Sequence, residues 1–204
     1  MRGTTLRNIA TIGLVVLVYL SAAPAFAASP DGKRLLTGVE YLYPTEEDRQ
    51  LRTTSVDLLY AVKTVDKARL SVSAGVTATR ASGDITQWTG SLSEGTLTAT
   101  THESSASGLG PSALARFDLV KRKRVRLSAD LSGGLLLYDQ DFPAGGERYN
   151  FMWRVGPSLT YKLNSSYGIG VGYRWMHVSN GKGITAENPS YDAAGFQVQL
   201  SRGF

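Results

Sequence analysis

The chain has 204 residues, a net charge of +5, 19% charged and 42% hydrophobic residues, and no cysteine. That length suits a single domain with a core of its own, and the ordinary hydrophobic content excludes a disordered chain. Without cysteine there is no disulfide scaffold, Cys-ligated zinc or thiol nucleophile, and two histidines leave little for a His-rich metal site. No metal or cofactor is expected.

Residues 1–27 read as a secretory signal. Arg2 and Arg7 give a basic start, Ile9 to Leu20 is mostly apolar, and Ala25-Phe26-Ala27 has the small-x-small form of a cleavage site. The apolar run is short of the roughly 20 residues a membrane helix needs. Cleavage leaves residues 28–204 and removes two arginines and no acid, lowering the net charge to +3. Mild basicity on an exported chain gives no reason to expect a nucleic-acid partner.

The remainder alternates with a period of two and shows little helical periodicity. In 125–139, Val125, Leu127, Ala129, Leu131, Leu135 and Leu137 share one parity, with Arg126, Ser128, Asp130 and Ser132 on the other. Stretches 70–79 and 149–163 repeat the theme. Marking all such runs predicts eight strands, at 34–44, 52–63, 68–80, 108–120, 125–139, 149–163, 167–179 and 191–204. Short polar turns at 64–67, 121–124 and 164–166 alternate with longer connections at 45–51, 81–107, 140–148 and 180–190. An even number of strands with short turns on one side and long loops on the other is the layout of an outer-membrane β-barrel. The expected fold is therefore all-β, an eight-stranded antiparallel transmembrane barrel over 28–204. Tyr41, Tyr43, Tyr138, Tyr149, Trp153, Tyr167 and Trp175 near strand ends suit interfacial girdles.

The last strand alternates Phe196, Val198 and Leu200 towards a C-terminal Phe204. That ending resembles the signal by which bacterial outer-membrane proteins engage their assembly machinery. The inward parity carries Glu40, Asp57, Arg116, Asp118, Arg126, Asp130, Arg154, Lys162 and Arg174. Both signs are present, so these groups can pair in a lumen that eight strands leave just wide enough for side chains. The interior is expected to be a plug, not a pore.

Strand seven carries the chemistry. Its lipid-facing parity runs Ile169, Val171, Tyr173, Trp175 and then continues with His177 and Ser179, while strand eight puts Asp192 in the row of Phe196 and Val198. Three polar groups thus sit at one rim of the outer wall, where lipid would favour apolar residues. A hydroxyl needs a base to take its proton, and the base needs a third group to orient it. Ser179 is the candidate nucleophile, His177 the base and Asp192 the orienting acid. With both termini periplasmic, this rim faces the outer leaflet, which in Gram-negative bacteria is lipopolysaccharide.

His177-Val178-Ser179-Asn180, a Gly-containing loop, Asn188 and an acid four residues later resemble the active-site signature of the lipid A 3-O-deacylases (the PagL family, acyloxyacyl hydrolase-like). The resemblance implies an outer-membrane serine esterase that removes the ester-linked 3-hydroxy acyl chain at position 3 of lipid A, with lipid A as substrate and partner. It implies Asn188 and a backbone N–H near Gly181 or Gly183 as oxyanion donors. The family's acid is often Glu; the matching residue here is Asp192, and Glu187 on the loop is the alternative. A non-enzymatic structural or adhesion barrel and a phospholipase-type acyl hydrolase stay open as other readings, as does a homodimer. His102, in the Ser/Thr/Gly-rich stretch 81–107, reads as a surface residue. The basic run Lys121 to Arg124 reads as a solvated periplasmic turn within reach of inner-leaflet phosphates, and Gly168, Gly170 and Gly172 as space inside the barrel.

Overall fold

The computed structural model describes residues 34–91, 93, 95–181 and 189–203. The expected signal segment and Phe204 lie outside them. Eight antiparallel strands close into one barrel in sequence order, with the last pairing to the first from Arg34↔Gly203 to Pro44↔Ala193. They are β1 Arg34–Pro44, β2 Arg49–Val65, β3 Leu70–Thr89, β4 Thr98–Lys121, β5 Val125–Phe142, β6 Glu147–Lys162, β7 Tyr167–Ser179 and β8 Tyr191–Gly203. The alternation in the sequence is the alternation of the wall: Leu131, Val155, Val171 and Val198 are exposed on the outside, while Ser132, Arg154, Gln197 and Gln199 are buried within.

Two expectations change. The stretch 81–107, read from sequence as a loop, is mostly strand: β3 and β4 pair without a break from Leu70↔Phe117 to Thr89↔Thr98, leaving 90–97 as the connection. About 9–11 residues suffice to cross the bilayer, so strands of 20 and 24 residues project well past it on the long-loop side. There the outer face meets water, as do both faces beyond Ile85 and Ser104, and Ser and Thr replace the apolar row that marks a lipid-facing strand. His102, exposed, is paired with Ile85 on this projection. Tyr138 does not belong to a girdle. It has the inward parity of β5, is buried, and its hydroxyl lies 3.4 Å from that of Tyr191 inside the barrel.

The lumen is filled in layers. Towards the long-loop end Leu42, Ile85, Leu136, Phe142, Met176 and Val178 belong to one apolar cluster. Below it lies a neutral network of three arginines and three carboxylates. Arg154 donates to Glu40 at 2.6 Å, to Asp57 at 2.9 Å and to Ser132 at 3.1 Å. Arg116 grips Asp130 with two bonds of 2.8 and 2.7 Å, and Arg174 reaches the same carboxylate at 2.5 Å. Gln197 joins the two halves, accepting from Arg174 at 2.8 Å and donating to Asp57 at 3.2 Å. Thr77 adds β3 through Asp57 at 2.6 Å, so all eight strands contribute. Gly172 makes room for this packing: a Cβ there would stand 3.0 Å from the Arg174 guanidinium.

Removing one partner from a buried, hydrogen-bonded ion group strands the others. Arg154→Met leaves Glu40 and Asp57 facing each other without a cation, and should cost about 3–5 kcal/mol. Denaturant titration of the refolded barrel in detergent checks this. Glu40→Gln, which keeps Asp57 as a partner, should cost clearly less.

Candidate active site

The pleat of β7 sends Met176 and Val178 into the apolar cluster and His177 and Ser179 to the outer wall. On β8, Tyr191 and Ala193 are buried inside while Asp192 between them faces out. The β7–β8 register sets His177 directly opposite Asp192. Across that pair His177 Nδ1 lies 2.6 Å from Asp192 Oδ1, with both side chains partly exposed at 28% and 22%. A carboxylate oxygen can only accept, so Nδ1 carries the proton and donates it. In the neutral ring Nε2 is then left with its lone pair. The buried inner neighbours hold both backbones from behind.

Aromatic rings frame the imidazole. Trp153, opposite His177 in the β6–β7 register, has its ring 5.9 Å away, and Trp175 stacks on the imidazole with centroids 6.5 Å apart. The two indoles meet edge to face at 4.6 Å. Ser179 is partly exposed, two residues further along the same row and opposite Phe151. The structure therefore brings His177 and Asp192 into contact and sets Ser179 on the same face. Gly183, Glu187 and Asn188 lie outside the described residues.

The β1–β2 connection and the first residue of β2 contribute groups that the sequence pattern does not mark. Thr45 N–H donates to Asp192 O at 3.2 Å, and the Arg49 guanidinium donates to the Ser190 carbonyl. Arg49 Nε also stands 3.5 Å from Glu46 Oε2 and 3.9 Å from Asp48. The entry to β8 is thus pinned by a loop some 140 residues earlier, and only barrel closure brings them together. Burial raises the Glu46 carboxyl above its ordinary range and the nearby Asp192 charge raises it further, with Arg49 pulling the other way. The site thus has a second, partly buried carboxyl beside the His–Asp pair.

A family model described as lipid A 3-O-deacylase (PagL) matches residues 66–201. The chain belongs to the PagL family of lipid A 3-O-deacylases. No curated protein matches the sequence. Among solved structures, the crystal structure of the outer membrane enzyme PagL shares 14% identity, covering 84% of this chain and 99% of that one, with a TM-score of 0.49. Outer membrane protein AlkL, solved by solid-state NMR in lipid bilayers, shares 15% identity over 89% of this chain and 95% of its own, with a TM-score of 0.36. Membership of the PagL family makes this barrel a bacterial outer-membrane enzyme of the lipid A deacylase type.

Glu46 provides a test of the local electrostatics. Its folded pKa is raised, so its carboxyl favours the fold while protonated and loses that contribution as pH rises through the folded value. Glu46→Gln should therefore unfold no more easily than the parent at neutral pH. Asp192→Asn removes a charge that opposes ionisation, so Glu46 should then titrate at lower pH. Carboxyl-selective carbon NMR reads this directly, and an unmoved or raised titration would refute the proximity.

Proposed function

We propose that this PagL-family barrel hydrolyses the ester-linked 3-hydroxy acyl chain at position 3 of lipid A through Ser179, His177 and Asp192. The observation that carries the proposal is the 2.6 Å bond between His177 and Asp192 on the outer wall, in the row that also holds Ser179. Consecutive same-face residues on a strand are roughly 6.6 Å apart along the chain, a gap that an imidazole can bridge to a serine hydroxyl.

His177 Nε2 takes the Ser179 proton as Oγ attacks the acyl carbonyl carbon. Asp192 accepts from Nδ1–H, fixes the tautomer that leaves Nε2 free and stabilises the imidazolium that forms. As the tetrahedral intermediate collapses, the imidazolium returns its proton to the departing 3-hydroxyl oxygen of the glucosamine. Water, activated by the same Nε2, then attacks the acyl-serine, releasing the 3-hydroxy acid and restoring Ser179. Asn188 and the Gly183 N–H are proposed as oxyanion donors on the family resemblance. Asp192 is preferred to Glu187 as the acid because, among the described residues, it is the carboxylate bonded to His177. Trp153 and Trp175 would lie against the substrate's acyl chains beside the reacting centre. The strand ending at Phe204 is proposed to engage the assembly machinery.

The test is mass spectrometry of lipid A from cells making the parent or a variant. The parent should remove one 3-hydroxy acyl chain and Ser179→Ala none. Asp192→Asn, which keeps the shape but loses the charge and the tautomer control, should slow deacylation by roughly 10³–10⁴-fold. Folded parent that leaves lipid A intact but releases fatty acid from phospholipid would move the activity to another ester. Full activity in Ser179→Ala would remove Ser179 as nucleophile.

A further inference from the structure

The end of the barrel opposite this site is unlike the rest of the lumen. A cavity of about 270 Å³ at the short-turn rim is lined by Arg34, the run Lys121 to Arg124, Arg126 and Lys162, and by no acidic residue. These cations come from β1, the end of β4, the β4–β5 turn, β5 and β6, so the concentration is made by the fold and not by the basic run alone. Arg34, Arg126 and Lys162 take the inward parity of their strands and so face the mouth from within. The nearest carboxylates are already engaged: Asp118 lies 3.4 Å from Arg126 and Asp66 lies 3.4 Å from Lys121. Among the described residues, Arg34, Arg122, Lys123 and Lys162 form no ion pair. Deeper in the lumen the opposite holds, with three arginines matched by three carboxylates.

Thr160, Gly168 and Ser201 line the floor of the cavity. Ser201 Oγ donates to the Gly168 carbonyl at 3.3 Å, and a Cβ on Gly168 would stand 2.8 Å from that oxygen. Glycine at 168 therefore keeps the space open. The wall includes Tyr167, which faces outward, and Arg124, which donates to the outward Tyr161 hydroxyl at 3.3 Å. The cavity thus reaches from the lumen to the membrane interface.

We propose that this periplasmic mouth is a binding site for a phosphate-bearing anion. Arg34, Arg122, Lys123 and Lys162, crowded with no carboxylate paired to them among the described residues, repel one another, and an oxyanion that accepts from several at once removes that repulsion. Two sources supply this chemistry: an anionic phospholipid headgroup of the inner leaflet, entering past Tyr167, and a soluble periplasmic phosphate. The site is independent of the ester-cleaving centre, which lies on the outer wall at the other end.

The experiment uses the refolded full barrel in neutral detergent. One arm measures binding to mixed micelles containing phosphatidylglycerol against micelles containing phosphatidylcholine; the other measures binding of inorganic phosphate. Parent, Arg34→Gln/Lys162→Gln and the charge-matched Arg52→Gln/Arg80→Gln at the far end are compared, with heat-modified gel mobility confirming that each is folded. A basic group near an anionic surface contributes about fivefold, so the mouth variant should bind roughly thirtyfold more weakly and the control should match the parent. Arg34→Lys/Lys162→Arg, which keeps both charges, should restore most of the affinity. Selective phosphatidylglycerol binding assigns the lipid source. Binding of inorganic phosphate without lipid preference assigns the soluble one. Equal loss in the mouth and control variants, or no binding in either arm, overturns the proposal.

Discussion

Everything in this barrel rests on the need to neutralise charge at the centre of the lumen, which neither lipid nor bulk water reaches. Arg116, Arg154 and Arg174 face Glu40, Asp57 and Asp130, and no strand supplies a complete pair by itself. Arg154 on β6 must find partners on β1 and β2, and Arg174 on β7 must find Asp130 on β5. A barrel closed one strand out of register would bury unmatched charge, so the network specifies closure and shear as well as stability. Glutamines 197 and 199 satisfy the remaining donors from β8, the strand that seals the wall.

That core divides the molecule by solvent. Above it the apolar cluster closes the lumen and supports β7 and β8 from within, so His177 and Asp192 protrude from a backed surface. Below it the lumen opens and the balance of charge is lost. The outer wall at one end and the inner mouth at the other are thus the places where polar groups depart from the rule that governs the rest of the barrel.

How much of this the sequence contains depends on whether a residue's role is set by parity or by closure. Period-two alternation locates β1 and β5 to β8 to within a few residues, because each has an apolar face against lipid. The same parity places His177, Ser179 and Asp192 outward. It also turns Tyr138 inward, although Tyr138 stands near a strand end as girdle residues do. The projecting ends of β3 and β4 were unreadable for a physical reason: beyond the bilayer neither face must be apolar, so Ser and Thr pair as strands while resembling a loop. Glu46 and Arg49 were unreadable for another. Their contacts with the Ser190–Asp192 segment exist only once β1 meets β8, and nothing in a short acidic loop announces a partner 140 residues away.

The sealed lumen behind the His177–Asp192 pair has a kinetic consequence. With no route through the lumen, a lipid substrate of the proposed site would reach the imidazole by lateral diffusion within the leaflet. Encounter frequency then follows the mole fraction of acceptable lipid around the barrel, and bulk dilution leaves it unchanged. Acyl chains that stay anchored beside Trp153 and Trp175 would favour repeated encounters before a lipid escapes. For the proposed reaction the packing and fluidity of the surrounding leaflet would become rate-setting variables, and lipid that is crystalline, or tightly bridged by divalent ions, would starve the site.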